Sequence, residues 1–70
     1  QFLLAPMPGK IVSINVKEGQ KIKSGENILI LEAMKMENMI TSVKDATIKK
    51  INIKKGEAVE VDQILIEFNK

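Results

Sequence analysis

Hydrophobic and polar residues alternate along much of this chain with the period of β-strands. Between positions 11 and 16, polar Ser13 and Asn15 interrupt a run of Ile and Val, which predicts a half-buried strand. All four residues from Ile28 to Leu31 are hydrophobic, which predicts a strand buried on both faces or one crossing between two layers. The segment 36–43 is predicted to run back beside it as the second strand of a hairpin. No stretch has a helical period, so the sequence predicts an all-β fold.

Prolines and glycines divide this pattern into elements. Two prolines within segment 5–9 fix φ and lack N–H donors, so no regular strand is predicted to begin before Lys10. Gly19 and Gly25 each supply a turn residue that tolerates positive φ, and Ile22 is a hydrophobic anchor between these turns.

The second half of the chain repeats the first half at a separation of thirty-seven residues. The matched pairs are Ile11 with Ile48, Ile14 with Ile51, Asn15 with Asn52, Val16 with Ile53, Lys17 with Lys54, Gly19 with Gly56 and Ile22 with Val59. A one-residue deletion is then predicted, after which Glu26 matches Asp62, Ile28 matches Ile64, Leu29 matches Leu65 and Ile30 matches Ile66.

A repeat this short cannot bury its hydrophobic face alone, so its two copies are expected to pack together. The sequence therefore predicts a flattened β-barrel or sandwich of two four-stranded antiparallel sheets with pseudo-two-fold symmetry. The chain has 70 residues, which is enough for one domain. The predicted domain covers 5–68, residues 1–4 are the end of a linker or a first edge strand, and 69–70 form a C-terminal tail.

Composition excludes several classes of function. The sequence has no cysteine and no histidine, so it lacks thiolate ligands and the commonest metal ligand and general base. No hydrophobic run approaches the roughly 20 residues of a membrane span, and direct membrane insertion is not expected. A cytoplasmic location is expected, or the mitochondrial matrix if the source is eukaryotic.

The net charge is +2, with eleven lysines and arginines against nine acidic residues. Lysines are concentrated at positions 49, 50, 54 and 55, which is one feature of nucleic-acid binding. However, the chain has no arginine, tyrosine or tryptophan, so it lacks bidentate base contacts and most base-stacking side chains. Solvated strand faces explain these lysines, and nucleic acid is not an expected partner.

Lys35 is predicted to lie at the exposed tip of the central hairpin, between Met34 and Met36. A catalytic lysine needs burial or a cationic neighbour to become neutral, whereas Glu32 and Glu37 favour its protonated form. A lysine that another enzyme acylates needs only exposure and a fixed position. The two methionines have two interpretations: they fill the core at the hairpin base, or they form a hydrophobic collar that a partner recognises.

The segment Glu32-Ala33-Met34-Lys35-Met36-Glu37 resembles the attachment motif of biotin carboxyl carrier domains. Segment 5–11 resembles the start of that family, and residues 16–19, 22–26 and 53–59 resemble its repeated turns. The resemblance covers residues 5–68 and implies the flattened barrel described above, with both termini opposite the hairpin.

The resemblance also implies that a biotin protein ligase attaches biotin covalently to Lys35, using biotinyl-adenylate. The biotin then carries a carboxyl group between the biotin carboxylase and carboxyltransferase sites of an acyl-CoA or 2-oxo-acid carboxylase or decarboxylase. The domain itself is therefore expected to be non-catalytic. Glu32, Ala33, Met34, Met36 and Glu37 are implied to serve ligase or partner recognition.

Two positions depart from the family pattern, because Val43 and Ala46 replace a usual proline and glycine. If Ala46 had positive φ, it would cost about 1 kcal/mol. Two other functions remain open. A lipoyl carrier uses a similar hairpin lysine, usually preceded by Asp where this chain has Met34, and an unmodified interaction module would leave Lys35 free.

Overall fold

The computed structural model describes residues 1–69. It contains eight strands, which are β1 (Phe2–Leu4), β2 (Gly9–Ile14), β3 (Lys21–Ile22), β4 (Asn27–Ala33), β5 (Met36–Thr41), β6 (Ala46–Ile51), β7 (Ala58–Val59) and β8 (Ile64–Asn69). Within this described part of the chain there is no helix, which confirms the all-β prediction.

The strands form two four-stranded antiparallel sheets, ordered β1-β8-β6-β3 and β5-β4-β2-β7. Each sheet combines strands from both halves of the chain, so neither half forms a sheet alone. The two-sheet fold with internal symmetry is therefore as predicted.

The core between the sheets is aliphatic. Its large, fully buried side chains are Ile11, Ile22, Ile28, Leu29, Leu31, Ile48, Leu65 and Ile66. Ile28, Leu29 and Leu31 belong to the four-residue hydrophobic run, while Ile30 is only partly buried. This run therefore supplies three core residues from one strand, and transfer of such side chains from water is the main stabilising contribution.

Four tight turns join the strands and share one hydrogen-bond pattern. The backbone N–H of the first residue donates to the side-chain oxygen of a Gln or Glu at the fourth position, and the N–H of that fourth residue donates to the first carbonyl. The turns begin at Lys17, Lys23, Lys54 and Glu60. The third residue has positive φ in each turn, at Gly19, Gly25, Gly56 and Asp62.

The predicted one-residue deletion in the repeat is wrong, because the separation stays at thirty-seven residues throughout. The N–H of Asn15 donates to the carbonyl of Ile28, and the N–H of Asn52 donates to that of Leu65. Ile28 therefore corresponds to Leu65 and not to Ile64. In the turns, Gly25 corresponds to Asp62, because both have positive φ.

Two local predictions also differ from the structure, and the condition stated for Ala46 is not met. Strand β1 precedes the two prolines, and β2 begins at Gly9 rather than Lys10. Ala46 is absent from the non-glycine residues with positive φ among residues 1–69, so it carries no left-handed strain. Asn69, predicted to lie in a tail, ends strand β8, and Lys70 lies outside the described residues.

The amino terminus and the β4–β5 hairpin lie at opposite ends of the molecule. Gln1 and Phe2 share a groove with residues 41–44, and the Lys44 ammonium donates to the Gln1 side chain. This stretch begins at Thr41, the last residue of β5, and the six residues of β5 span about 20 Å at the usual strand rise. Phe68 lines the same groove, so both ends of the described chain are remote from Lys35.

Candidate functional site

Met34 and Lys35 form the two-residue loop between β4 and β5. Ala33 pairs with Met36 across the loop, and the loop residues have φ of 52° and 66°. Positive φ at both positions is the geometry of a type I′ turn, which matches the twist of antiparallel strands. Lys35 therefore lies at the hairpin tip, as predicted, on a turn that continues directly into paired strands.

The side chains at the tip face solvent. Lys35 is exposed, Met34 is 94% exposed and Met36 is 67% exposed. The core-filling interpretation of the two methionines is therefore wrong. Their positions fit the alternative interpretation, in which two flexible hydrophobic side chains flank the lysine and are free to contact another protein.

Two carboxylates form the second cross-strand pair from the hairpin loop. Glu32 and Glu37 are directly opposite each other on β4 and β5, and both are exposed. Like charges in opposite positions destabilise a strand pair. Ala33 is the one buried member of the predicted motif, at 8% exposure. The structure thus places all six motif residues within one hairpin.

The base of the hairpin packs against segment 6–9. The Asn38 side-chain amide donates to the carbonyls of Leu31 and Met36, and it also lies 4.0 Å from the Met7 sulfur. A Cβ atom at Gly9 would lie 2.4 Å from the Glu32 carbonyl oxygen, so only glycine allows this close approach.

Sequence reasoning missed the contacts of Asn38 and Gly9 with the hairpin. The sequence did hold one signal of the close approach at Gly9. The repeat matches Gly9 with Ala46, so the second half tolerates a methyl group at a position where the first half excludes one. The remaining supports, Met7 and Asn38, depend on distances that only the folded chain defines.

Within residues 1–69, no three His, Cys, Asp or Glu side chains are grouped so that they could hold a metal ion. The same residues contain no helix long and hydrophobic enough to cross a membrane. The Lys35 side chain presents one exposed primary amine at the tip.

Comparison with protein families gives a match over residues 2–68 to the biotin/lipoyl family described as "Biotin-requiring enzyme". The match covers nearly the whole chain, including the hairpin and both copies of the repeat. The chain belongs to this family. The biotin/lipoyl family assignment agrees with the resemblance seen in the sequence and with the two-sheet fold.

Relatives of this biotin/lipoyl domain include carboxylase chains. It is 41% identical over 68 residues to the propionyl-CoA carboxylase alpha chain of Ruegeria pomeroyi, covering 97% of this chain and 10% of the relative. It is also 41% identical over 64 residues to mitochondrial pyruvate carboxylase of Mus musculus, covering 91% of this chain and 5% of the relative. The chain thus spans a small part of these relatives, corresponding to their non-catalytic carrier domain.

Solved structures share the fold of this biotin/lipoyl domain. A single-chain, multi-domain long-chain acyl-CoA carboxylase superposes with a TM-score of 0.94 at 24% identity, covering 100% of this chain and 7% of that one. The lipoyl domain of the 2-oxoglutarate dehydrogenase complex of Azotobacter vinelandii superposes with a TM-score of 0.81 at 22% identity, covering 90% of this chain and 80% of that one. At these identities the likeness establishes the fold alone.

Proposed function

We propose that Lys35 is the attachment point for biotin and that a biotin protein ligase modifies it. The lysine Nζ forms an amide with the carboxyl carbon of biotinyl-adenylate. The bond from that carbon to the phosphate oxygen breaks, AMP leaves, and the amine gives up its proton. The residues fit this group, because the amine is exposed and is held on a two-residue turn between paired strands.

The observation that carries the proposal is that the tip residues do not favour folding. A type I′ turn is best served by Asn-Gly, yet this chain has Met34 and Lys35 in left-handed conformations. The exposed methionines bury little hydrophobic surface, and the opposed glutamates repel each other. Departures from local preference concentrate at functional sites, and three kinds of departure occur together around this one amine.

Attached biotin would supply carboxyl-group transfer, and we propose that this domain carries it between biotin carboxylase and carboxyltransferase sites. The relatives named as carboxylases support this assignment. The domain's contribution is to hold the amine in place on a rigid support, so that a tethered group meets its partner sites at high effective concentration. We propose a cytoplasmic location, or the mitochondrial matrix in a eukaryote.

The direct test is intact-mass measurement after co-expression with a biotin protein ligase. We expect a single biotinyl increment that maps to Lys35, and Lys35→Arg should abolish it while leaving the fold unchanged. Lys49→Arg is the matched control, since Lys49 is also exposed but lies on β6, away from the hairpin tip, and this variant should be labelled normally. Biotin on the Lys35→Arg variant would contradict the proposed site.

The same measurement distinguishes the other functions. The lipoyl-domain structure shares this fold, so co-expression with a lipoyl ligase is a parallel arm of the experiment. A lipoyl increment with the lipoyl ligase, without a biotinyl increment with the biotin ligase, would mean that the attached cofactor is lipoate and not biotin. No increment in either arm would favour an unmodified interaction module.

A further inference from the structure

A strip of four charged residues crosses the outer face of the β5-β4-β2-β7 sheet beside the Lys35 hairpin. Glu37 lies opposite Glu32, and Glu32 lies opposite Lys10 on β2. These three residues and Lys55 line a shallow groove of about 290 Å³. All four side chains are exposed. We call Lys10, Glu32, Glu37 and Lys55 the charged strip.

The charges in this strip are separated by sign. Its two acidic residues lie on the hairpin strands, and its two basic residues lie on β2 and on the turn that begins at Lys54. A surface with this arrangement attracts a partner that has basic groups at one end and acidic groups at the other. Such complementarity guides encounter and orientation more than it adds affinity.

The internal repeat shows that the fold does not require the strip. At a separation of thirty-seven residues, Lys10 corresponds to Thr47, Glu32 to Asn69 and Lys55 to Glu18. The equivalent strand pair in the other sheet is therefore uncharged, although its backbone pairing is the same. Glu18 is the only charged equivalent, and its sign is opposite to that of Lys55, so the charge pattern of the strip is not repeated in the other half of the molecule.

We propose that the charged strip is a docking surface for the enzyme that acylates Lys35. This inference rests on the proposed function and extends it by naming Lys10 and Lys55 as recognition residues. The enzyme's groups opposite Lys10 and Lys55 should be acidic, and those opposite Glu32 and Glu37 should be basic.

The short reach of an unmodified lysine favours the acylating enzyme as the partner. The lysine amine lies about 6 Å from its own Cα, so that enzyme must cover the surface around the tip. A standard interface of about 800 Å² per partner has a radius of about 16 Å. Strand spacing and rise place Lys10 about 10 Å from the tip, which is within this footprint.

The test is the initial rate of biotinylation by a purified biotin protein ligase at low salt and at about 0.5 M salt. The variant is Lys10→Glu with Lys55→Glu. Its control, Lys23→Glu with Lys49→Glu, makes the same change in net charge at exposed positions outside the groove. We expect the strip variant to lose about tenfold in kcat/KM at low salt, and less than threefold at high salt because salt screens exposed charges. The control should stay within twofold of the parent chain.

Equal effects of the two variants, or no effect of the strip variant, would overturn the docking proposal. A loss that persists at high salt and accompanies a lower Tm would also overturn it, since Lys10 would then act mainly by stabilising Glu32. If the strip variant does not fold, the comparison is repeated with glutamine substitutions. The strip variant is then Lys10→Gln with Lys55→Gln, and its control is Lys23→Gln with Lys49→Gln. The expected loss in kcat/KM of the strip variant is threefold. A parent chain that is not biotinylated would instead refute the proposed function.

Discussion

Left-handed backbone conformations occur at non-glycine residues in two different settings in this protein. Met34 and Lys35 adopt them at the hairpin tip, and Asp62 adopts one in the turn before β8, with φ of 65°. Asp62 occupies the place that Gly25 fills in the first half of the repeat, and its side chain is exposed. The tip has a proposed function that accounts for its strain, whereas the turn at Asp62 has none, so replacement there should affect stability alone.

Replacing Asp62 by glycine is therefore expected to stabilise the protein. Glycine adopts positive φ without a Cβ penalty, so Asp62→Gly should raise the free energy of unfolding by about 0.5 kcal/mol. The reciprocal control is Gly25→Ala, which should lower it by about 1 kcal/mol. Urea unfolding followed by circular dichroism measures both changes. Destabilisation by Asp62→Gly would mean that the Asp62 side chain has a role beyond the turn.

Sequence patterns predicted the strands and turns of this fold well, but they predicted less well which residues of the two halves are equivalent. Alternating residues, turn glycines and the run 28–31 were sufficient to predict strands, sheets and the exposed Lys35. The deletion error arose because Glu26 and Asp62 match in side-chain chemistry, whereas the fold conserves backbone φ, which pairs Asp62 with Gly25. Side-chain type does not reveal φ when a residue other than glycine occupies the left-handed region.

At the level of elements, the contact between segment 6–9 and β4 is one difference between the two halves. Gly9 lies so close to the Glu32 carbonyl that a methyl group would overlap with it, while the equivalent Ala46 already carries one. This close packing fixes β4 three residues before Lys35. It was not predictable from the sequence, because it depends on how closely two separate segments approach each other.

Gly9→Ala should therefore lower the stability of the protein by far more than the addition of one methyl group would suggest. Because the obstructing atom belongs to the backbone, β2 or β4 must move, and we expect a loss of about 1 to 3 kcal/mol of stability. Ala46→Gly is the matched control at the equivalent position, with an expected loss of about 0.5 to 1 kcal/mol. Thermal unfolding compares the two variants, and hydrogen exchange at the β4 amides locates the change. Equal losses would show that the packing at Gly9 has no special importance.

For the molecule as a whole, the constant repeat and the mixed sheets imply a single cooperative unit. Ile28 and Leu65 are equivalent by the repeat, and both are fully buried. They lie in different sheets, yet they contribute to one hydrophobic cluster. Removal of either side chain should therefore weaken both halves together.

Ile28→Ala and Leu65→Ala are each expected to destabilise the protein by about 2 to 5 kcal/mol, through lost burial and a residual cavity. The two losses should agree to within about 1 kcal/mol, and each variant should unfold in one transition. Chemical denaturation with two spectroscopic probes tests this expectation. Separate transitions for the two probes would mean that the halves unfold independently.

The elongated shape has a consequence for delivery. The molecule measures 32 × 19 × 17 Å, with the Lys35 hairpin at one extremity and both ends of the described chain at the other. Any polypeptide fused to Gln1 would therefore gain about 30 Å of reach before its cargo begins, as much as about nine residues of fully extended chain. Unlike a flexible extension of that length, a folded spacer loses no conformational entropy when the cargo enters a partner's cleft.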